Sequence, residues 1–553
     1  MNTRQILPPI LLIAMAAILA TTLPSAIAGR ARNYDWFSPV IDTRSILMNG
    51  FVELPDESAM QQAAIEAIVE SLDDPYTMYV APSHTDEFQK DLSGHYVGIG
   101  AHVNGRAGRL EILSPMDGSP ALEAGVRAGD VILMIDDFDT KGQPVQTCID
   151  ELLGEPGSEV RVHVRHTDES EEWLTVVRQP ITAPTVSGLA RHNQAWRYHL
   201  DESRGLAYAR VNQFTMDTVP QLLEALEPLT RQGPLNGLVL DLRGNPGGAL
   251  PAAIDMAELF LDGGEIVSIA PAREDRTDER RTATASPGEA FEGTPMVVLI
   301  DEHSASASEI VAGALRDNNR AMIVGERSFG KGSVQEVRPL DDDMGMLKFT
   351  TAYYFVPSGR NIHRRRHLPD EAWGVDPSPG CVVPETPEDM LKRVERRWVF
   401  DAITDDEPDL PQVADEAWLR TEYNDPALAE AMTLLRHHHA HQDWPELDED
   451  EDPAFPPLQA DLDAALDRRE AFERHLVQLN DEILRLMGSE ATVERGLVGL
   501  DEDVDMAGAE ITLRAADGST LGTWRVAENE DIRASLGALE LEPVTDDGKD
   551  DAG

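Results

Sequence analysis

The stretch that decides the fold is Met296-Val297-Val298-Leu299-Ile300-Asp301-Glu302-His303-Ser304-Ala305-Ser306-Ala307-Ser308-Glu309. Its first five residues are continuously apolar, as in a strand that is buried on both faces. Ile310, Val311 and Leu315 then recur at helical spacing, so the stretch predicts a strand, a short turn and a helix. Ser306 lies at the turn, where unpaired helix amides and the helix dipole favour a developing negative charge. A helix-capping serine explains this position equally well, so the position alone does not define a chemistry.

The same alternation of strands and helices extends to both sides of this stretch. Apolar runs at Leu206–Val211, Leu238–Leu242 and Met322–Val324 predict further buried strands. Helical patterns at Val219–Leu229 and Leu250–Leu261 separate them. Continuously apolar strands divided by helices indicate a sheet that is covered on both faces.

Two glycine-containing loops follow strands of this sheet. Asp241-Leu242-Arg243-Gly244-Asn245-Pro246-Gly247-Gly248 can bring backbone amides close to a ligand, although a plain turn is the simpler interpretation. Gly330-Lys331-Gly332 follows another strand. A lysine acts as a base only in its neutral form, which requires removal from water, and flanking glycines let it lie deep in a cleft. Ser306 and Lys331 together therefore predict a nucleophile and its general base.

Two rival interpretations have less support. Residues 325–331 match a phosphate-binding loop up to its lysine, but Gly332 replaces the required Ser or Thr. The segment Ser333–Val337 alternates like a strand, whereas a phosphate cradle needs a helix N-terminus there. A Ser-His-Asp triad lacks a Gly-x-Ser-x-Gly elbow. His303 is best interpreted as a solvated loop histidine, and His363 has no evident carboxylate to orient it.

Upstream of the sheet, residues 94–178 predict short strands around two glycine motifs. The motifs are Gly98-Ile99-Gly100 and Ala124-Gly125-Val126-Arg127-Ala128-Gly129-Asp130. Together they resemble a PDZ domain, a module that binds the free C-terminus of a partner as an added strand. The resemblance implies that Gly98, Ile99 and Gly100 hold the terminal carboxylate. A small β-rich domain without a ligand is the alternative.

Residues from about 40 to 385 resemble the carboxy-terminal processing peptidases, also called tail-specific proteases. The matching pieces occur in the family's order: Ser71-Leu72-Asp73-Asp74-Pro75-Tyr76, the PDZ motifs, Asp241–Gly248, Ser304–Glu309, Phe329–Gln335 and Tyr354–Arg360. The resemblance implies that Ser306 is the nucleophile and Lys331 the base, with Gln335 orienting the lysine. It further implies an oxyanion hole formed by the amides of Gly248 and Ala307, with Gly247 as the second choice.

We therefore expect an α+β multidomain protein with a crotonase/ClpP-like α/β protease core, an inserted PDZ domain and helical N- and C-terminal regions. The expected divisions are a signal peptide at 1–28, a helical N-terminal segment at 29–90, the PDZ domain at 91–180, the Ser/Lys protease core at 181–400 and an acidic helical extension with a small β unit at 401–553. The expected activity is a serine endopeptidase that cleaves exported proteins near their C-termini. A catalytically silent PDZ scaffold and a crotonase-like acyl-thioester enzyme are the alternatives.

Composition limits the partners of the chain. Its 553 residues carry a net charge of -53, which repels nucleic acid and anionic lipid. The expected partners are protein or peptide substrates with free C-termini, and an adaptor protein is compatible with the PDZ module. Heptad spacing in Leu462–Met487 indicates packing on the body of the protein or the seam of a homodimer. The chemistry requires no cofactor, and we interpret His437–His441 as a solvated helix end and not as a metal site.

The N-terminus predicts the compartment. Arg4, the apolar run Ile6–Leu23 and the small residues Ala26-Ile27-Ala28 have the pattern of a secretory signal. An uncleaved membrane anchor is the alternative, and both place the chain outside the cytoplasm, in the periplasm or the medium. Cys148 and Cys381 match no metal spacing and are either two buried thiols or a disulfide.

Overall fold

The computed structural model describes residues 36–447, apart from the gaps at 86–87, 89–95, 107, 182–183, 272–279, 289–290, 292, 342–343, 365–372 and 405–407, together with residues 510–514, 520–525 and 542–543. The chain divides into two compact units, Met1–Phe455 and Pro456–Gly553. The predicted signal peptide and the heptad helix Leu462–Met487 lie outside the described residues. None of the helices in the described part of the chain is both long and apolar enough to cross a bilayer.

A six-stranded sheet forms the centre of the first unit. Four of its strands are parallel and adjacent, in the order Leu206–Val211, Gly237–Asp241, Met296–Ile300 and Met322–Gly325. Val186–Ser187 and His199–Asp201 pair antiparallel with the first of them. Every predicted strand of this region is present, and the bounds differ from the prediction by one residue at most. The continuous apolar runs are thus confirmed as strands buried on both faces.

Helices cover both faces of this sheet because alternate strand residues point to opposite sides. One face buries Leu238, Leu240 and Val298 beneath three helices, which are Thr218–Gln232, Leu250–Glu258 and Ala307–Asp317. The other face buries Val239, Val297 and neighbouring residues beneath a second set, Pro387–Asp401, Glu416–Thr421 and Pro426–His441. The second set spans residue 400, so the first helices of the predicted extension belong to a layer of the sheet.

This layer contains one break that the sequence pattern does not show. The sequence from Trp418 to Leu435 has a single helical pattern, but the structure has two helices with a turn between them. Asn424 adopts a φ of 58°, which ends helical geometry. Asp425 then accepts a hydrogen bond from the Leu428 amide at 2.9 Å and caps the second helix, with Pro426 in its first turn.

Asp425 also joins this helical layer to the sheet through a buried arginine. Arg243 donates to Asp241 at 2.7 and 3.0 Å and to Asp425 at 2.6 and 2.8 Å. Burial raises the pKa of the Asp425 carboxyl, but the Arg243 charge outweighs it and holds that pKa below its ordinary value. Since Arg243 lies in the glycine loop predicted to approach a ligand, this ion pair fixes the loop to the layer behind it.

A second sheet, which is antiparallel, lies in the same unit and contains one strand of the N-terminal segment. Its strands run in the order Met78–Val80, Met346–Phe355, Glu265–Ala270 and Arg281–Thr284, and Ser333–Pro339 pairs with Met346–Phe355. The helix Glu57–Glu70 precedes this sheet and is capped by Asp56. Residues 36–50 are also helical. The N-terminal segment therefore contributes the strand Met78–Val80 to this sheet, and this pairing binds the segment to the core.

The PDZ region forms an antiparallel sheet with its own core. The strand order is Ala101–Arg106, Arg109–Pro115, Val131–Ile135, Glu159–Arg165 and Glu171–Val177, with Phe138–Asp139 beside the third. Two helices complete it, Pro120–Glu123 and Val145–Leu152. The entering strand Tyr96–Gly98 pairs with the leaving strand Gln179–Ile181, so the two connections to the rest of the chain are adjacent.

The remaining described elements are small. Ala190–His192 and Ala195–Arg197 form a hairpin, and Pro82–His84 and Glu202–Arg204 are single 3₁₀ turns. In the second unit, Glu510–Arg514, Thr520–Arg525 and Glu542–Pro543 form a three-stranded sheet where the sequence predicted a β-like unit. Cys148 is buried in the PDZ region and Cys381 behind the parallel sheet, and both are free thiols.

The Arg243 ion pair yields a stability prediction. In Arg243→Ala two buried carboxylates lose their counter-charge, which we expect to cost on the order of 3–5 kcal/mol of unfolding free energy. The exposed pair Arg338–Glu336 provides the control, and Arg338→Ala should cost less than about 1 kcal/mol. Urea unfolding followed by tryptophan fluorescence measures both changes. Equal losses in the two variants would contradict the proposed role of the ion pair.

Candidate active site

Ser306 occupies a strained turn between the strand Met296–Ile300 and the helix Ala307–Asp317. Its φ of 57° and ψ of -111° lie outside the regions that residues with a side chain ordinarily adopt. It is the one half-buried position between residues 304 and 311, where all the others are buried. The turn thus presents a single serine at the surface of a packed layer, and such strain is typical of functional positions.

The glycine loop 244–248 packs against this turn. The Asn245 carbonyl accepts hydrogen bonds from the Ala305 amide at 3.0 Å and the Ser308 hydroxyl at 2.9 Å. A Cβ on Gly247 would lie 2.7 Å from the Ser306 Cβ and 2.8 Å from the Ala307 amide nitrogen. Gly247 is therefore required by close approach, and the sequence-predicted loop and serine are neighbours.

The amides of this loop are not equivalent. The Gly247 amide donates to the Asn245 side-chain oxygen at 2.9 Å. Among the described residues, the amides of Gly248 and Ala307 have no such acceptor. Gly248 has a φ of 144°, and a Cβ there would lie 2.1 Å from the Phe214 carbonyl oxygen. The backbone thus leaves two amides beside Ser306 that can serve an oxyanion.

Lys331 lies between two glycines that are closely covered. A Cβ on Gly330 would lie 2.9 Å from Trp373, and one on Gly332 would lie 2.6 Å from the His363 amide nitrogen. Burial lowers the pKa of the Lys331 ammonium, the positive charge of Lys348 lowers it further, and Glu309 opposes both. A lysine with a lowered pKa supplies the neutral amine that a general base needs.

Glu309 links the two loops from inside the protein. Its completely buried carboxylate accepts hydrogen bonds from the Ser306 amide at 2.8 Å and the Lys331 amide at 2.9 Å. The Gly330 amide at 2.7 Å and the Ser328 hydroxyl at 2.6 Å complete its four donors. Burial raises the pKa of Glu309 to about 7, against the effect of these hydrogen bonds. One side chain therefore holds both the predicted nucleophile and the predicted base.

Tyr354 makes a second link between the same two residues. It lies on the strand Met346–Phe355, and its buried hydroxyl contacts the carbonyl oxygens of Ser306, at 3.1 Å, and of Lys331. The burial of this ring raises the pKa of its hydroxyl, which keeps the proton needed for donation. The backbones of Ser306 and Lys331 are thus joined from the helix side and from the sheet side.

Other sequence-predicted residues lie further from this centre. The side-chain amide of Gln335 donates to Ser333 at 2.9 Å and to Thr350 at 3.3 Å. In the part of the chain that the structure describes, it makes no hydrogen bond with Lys331. His303 is half exposed on the loop, as the sequence indicated.

The predicted carboxylate loop lies at the start of the PDZ sheet. Gly98, Ile99 and Gly100 are all buried there. The Ile99 carbonyl accepts from the Ala121 amide at 2.8 Å, and the Gly100 carbonyl accepts from the Met116 amide at 2.9 Å. The loop leads directly into Ala101–Arg106, an edge strand with one neighbour in the described sheet.

Glu309 and Tyr354 lie within the sequence motifs, but the motifs predict no role for either residue. A glutamate three residues after a helix-start serine is the pattern of a capping box, and this signal could have identified Glu309. The additional bonds of Glu309 to Ser328 and Gly330 come from a loop some twenty residues away and leave no local pattern. The same holds for Tyr354, whose partners are contributed by two other elements.

The chain is similar to several known proteins. The model of peptidase family S41 matches residues 205–373, and a PDZ domain model matches residues 111–166. A carboxy-terminal-processing protease of Bartonella bacilliformis is 36% identical over 324 residues, covering 58% of this chain and 71% of that protein. A carboxyl-terminal-processing protease of Synechocystis is 36% identical over 314 residues, covering 56% and 70%. The solved photosystem II D1 C-terminal processing protease is 31% identical, with a TM-score of 0.37 and coverage of 62% and 86%.

The chain belongs to the carboxy-terminal processing proteases, serine peptidases of family S41 that carry a PDZ domain. The resemblance noted from the sequence is thereby confirmed. The silent scaffold is not favoured, because the match to the peptidase model spans the region that holds Ser306 and Lys331.

The position of Glu309 leads to a second prediction. In Glu309→Gln one carboxylate oxygen is replaced by an NH2 group, which cannot accept a hydrogen bond and faces two of the four donors. The serine turn and the lysine loop then lose the side chain that binds both of them. We expect peptidase kcat to fall by about a hundredfold and the melting temperature to drop. Glu336→Gln, on the exposed side of the strand Ser333–Pro339, is the matched control and should change neither. A Glu309→Gln enzyme with normal kcat would refute this anchoring role.

Proposed function

We propose that Ser306 is the nucleophile and Lys331 the general base of this peptidase. The observation that carries the proposal is the double link between them, through the Glu309 carboxylate and the Tyr354 hydroxyl. These buried groups fix the relative position of two residues that come from different elements. The half-buried serine and the lowered pKa of the lysine fit the two roles.

The proposed chemistry is acyl transfer in two steps. Neutral Lys331 takes the proton from the Ser306 hydroxyl as the serine oxygen attacks the peptide carbonyl carbon. The ammonium then gives this proton to the leaving amine as the C–N bond breaks. Water, deprotonated by the same lysine, attacks the ester carbonyl carbon, and the ammonium returns the proton to the Ser306 oxygen as the C–O bond to the serine breaks. No cofactor takes part in these steps.

The oxyanion of each tetrahedral intermediate would be held by the amides of Gly248 and Ala307. Each such donor typically contributes about 3 kcal/mol to the stability of the transition state. Gly247 is the less suitable donor, because its amide is already bound by Asn245. Gln335 would orient Lys331 once its side-chain amide turns away from Ser333 and Thr350.

The PDZ domain would select the substrate by its C-terminus. A peptide tail can add to the free edge of Ala101–Arg106 as a further strand, with its carboxylate toward the amides of Gly98, Ile99 and Gly100. The chain enters and leaves the domain through two paired strands, Tyr96–Gly98 and Gln179–Ile181, just before the core. This connection supports a role of the domain in delivering or gating the tail. Substrates would thus be proteins with accessible C-termini.

The finer architecture and location remain part of the proposal. We infer a crotonase/ClpP-like core that extends beyond the expected 181–400, on the basis of the parallel sheet with helices on both faces, because helices between residues 416 and 441 cover one of those faces. The predicted secretory signal places the enzyme outside the cytoplasm, in the periplasm or the medium. An adaptor and a homodimer are compatible with the PDZ domain and with the heptads at Leu462–Met487.

Substitution of the two residues tests the proposed chemistry. Ser306→Ala and Lys331→Ala should each lower kcat by about 10⁴-fold or more, because each removes a group that the reaction cannot replace. Cleavage of an unstructured protein with an apolar C-terminus, followed by mass spectrometry, measures the loss. Lys392→Ala, on an exposed helix, is the control. Normal cleavage by either active-site variant would rule out the assignment.

The inactive Ser306→Ala protein can also test the substrate class. Exported proteins captured on it should be enriched through their C-termini, and blocking those termini by amidation should abolish the capture. Capture that is indifferent to amidation would argue against selection by tails.

The charge of Lys348 gives a pH prediction. Because this cation lowers the pKa of Lys331, Lys348→Met should raise that pKa. The acidic limb of kcat/KM, which requires neutral Lys331, then moves to higher pH. We expect a loss of about two- to threefold on the acidic side and no change above the limb. Lys392→Met should leave the profile in place, and an unmoved or lowered limb in Lys348→Met would exclude Lys331 as the titrating base.

A further inference from the structure

The turn Asp74–Thr77 has no part in the mechanism above, yet it reaches the predicted base. The ring of Tyr76 lies with its centroid 5.2 Å from the Lys331 Nζ. Tyr76 is half-buried and comes from the N-terminal segment, far from Lys331 in sequence. An aromatic ring at this distance from an ammonium makes a cation–π contact and occupies space that water would otherwise fill.

The turn is held rigidly in this position. The Asp74 carboxylate accepts hydrogen bonds from the Tyr76 amide at 3.1 Å and from the Thr77 hydroxyl at 2.6 Å. Although burial raises the pKa of Asp74, hydrogen bonds led by Thr350 and Thr77 outweigh it and keep the pKa below its ordinary value, so the capping carboxylate is ionised.

The turn is also fixed to the sheet that carries part of the active site. The hydroxyl of buried Thr77 accepts a hydrogen bond from the Thr350 amide at 3.1 Å. The residues that follow it, Met78–Val80, form a strand that pairs with the strand of Thr350. The Thr350 hydroxyl in turn accepts from the Gln335 side chain at 3.3 Å. A continuous series of contacts thus connects the turn with the residue proposed to orient Lys331.

We propose that Tyr76 is a positioning residue for the base, whose ring shields the Lys331 amine from water and keeps it in place. The inference rests on the proposed function of Lys331 as general base. It assigns the N-terminal segment a direct part in the active site, beyond its strand in the core sheet.

The sign of the effect follows from two opposing contributions. The π face attracts the ammonium and favours the charged form. The ring also excludes water, which disfavours the charged form, and removing hydration from an ammonium costs more than a cation–π contact returns. The lowered pKa of Lys331, with burial as its largest cause, agrees with this balance. Removing the ring should therefore raise the pKa of the base.

Other charged or titratable groups face Lys331 and remain in place in the test. Lys348 and Tyr354 lie on the strand Met346–Phe355, and Glu309 lies on the helix Ala307–Asp317. Asp74 and His363 stand next to Tyr76 itself. A substitution at Tyr76 leaves all of these side chains unchanged, so a moved pH limb reports the ring.

The experiment measures kcat and KM against pH for full-length wild type, Tyr76→Phe and Tyr76→Ala. Tyr76→Phe keeps the ring and should retain the wild-type limb. Tyr76→Ala should move the acidic limb upward, so that kcat/KM is about tenfold lower below the limb and recovers above it. Tyr76→Leu, which shields without a π face, should have its limb at or below that of wild type. This variant provides the test if Tyr76→Ala does not fold.

The inference would be overturned by an unmoved limb in Tyr76→Ala, by equal shifts in Tyr76→Phe and Tyr76→Ala, or by a raised limb in Tyr76→Leu. A change confined to KM would assign Tyr76 to substrate binding and also refutes it. Labelling of Lys331 by fluorodinitrobenzene in the Ser306→Ala background, followed across pH by mass spectrometry, reads the amine without catalysis. Activity retained in Ser306→Ala would instead refute the proposed function, so the two failures are distinct.

Discussion

The active site depends on one buried carboxylate. Glu309 is completely buried, and its carboxylate form is tolerated because four donors surround it and oppose the burial that raises its pKa to about 7. Three of these donors are backbone amides of the serine turn and the lysine loop. The hydrogen bonds that stabilise the buried carboxylate therefore also hold the serine turn and the lysine loop next to each other, which is the arrangement that catalysis needs. Tyr354 supports the same arrangement from the opposite side.

The surrounding fold serves to keep these loops in register. Parallel strands deliver the loop of Gly247 and the turn of Ser306 to one edge of the sheet, where their carboxyl ends meet. Arg243 fixes the first loop to the helical layer behind it through Asp425. The strand of Tyr354 brings the second sheet against the first. These contacts hold the loops in place before the reaction, whereas the Gln335 side chain has to turn before it can orient Lys331.

Much of this fold could be predicted because its strands are buried on both faces. Runs such as Met296–Ile300 indicate a covered sheet, and the glycines at 247 and 332 mark points where other backbone approaches closely. The turn at Asn424 was missed because the apolar period continues across it and one capping aspartate decides the break. The contacts of Tyr76 and Tyr354 could not be inferred, since each joins segments that share no local pattern.

Among the candidate site residues, Ser306 and Lys331 could be named from the family's motifs. The buried contacts that hold the two residues next to each other could not be predicted. That support comes from Glu309, whose local signal indicates only a helix cap. The Gly247 amide illustrates the same limit. The Gly247 amide donates to the Asn245 side chain, whereas the Gly248 amide has no acceptor among the described residues. The sequence alone does not distinguish these two adjacent glycines.

The pairing of Met78–Val80 with Met346–Phe355 has a consequence for the order in which the enzyme matures. Thr77 and Thr350 are 273 positions apart, so this contact cannot form until most of the catalytic core has been synthesised. Contacts of such long range close late in folding, because the entropy of the intervening chain must be overcome first. Since the turn of Tyr76 is fixed by a strand that is synthesised after Ser306, an incomplete chain contains Ser306 before it contains a finished environment for Lys331. The topology thus delays proteolytic competence until the strand Met346–Phe355 has been synthesised and paired.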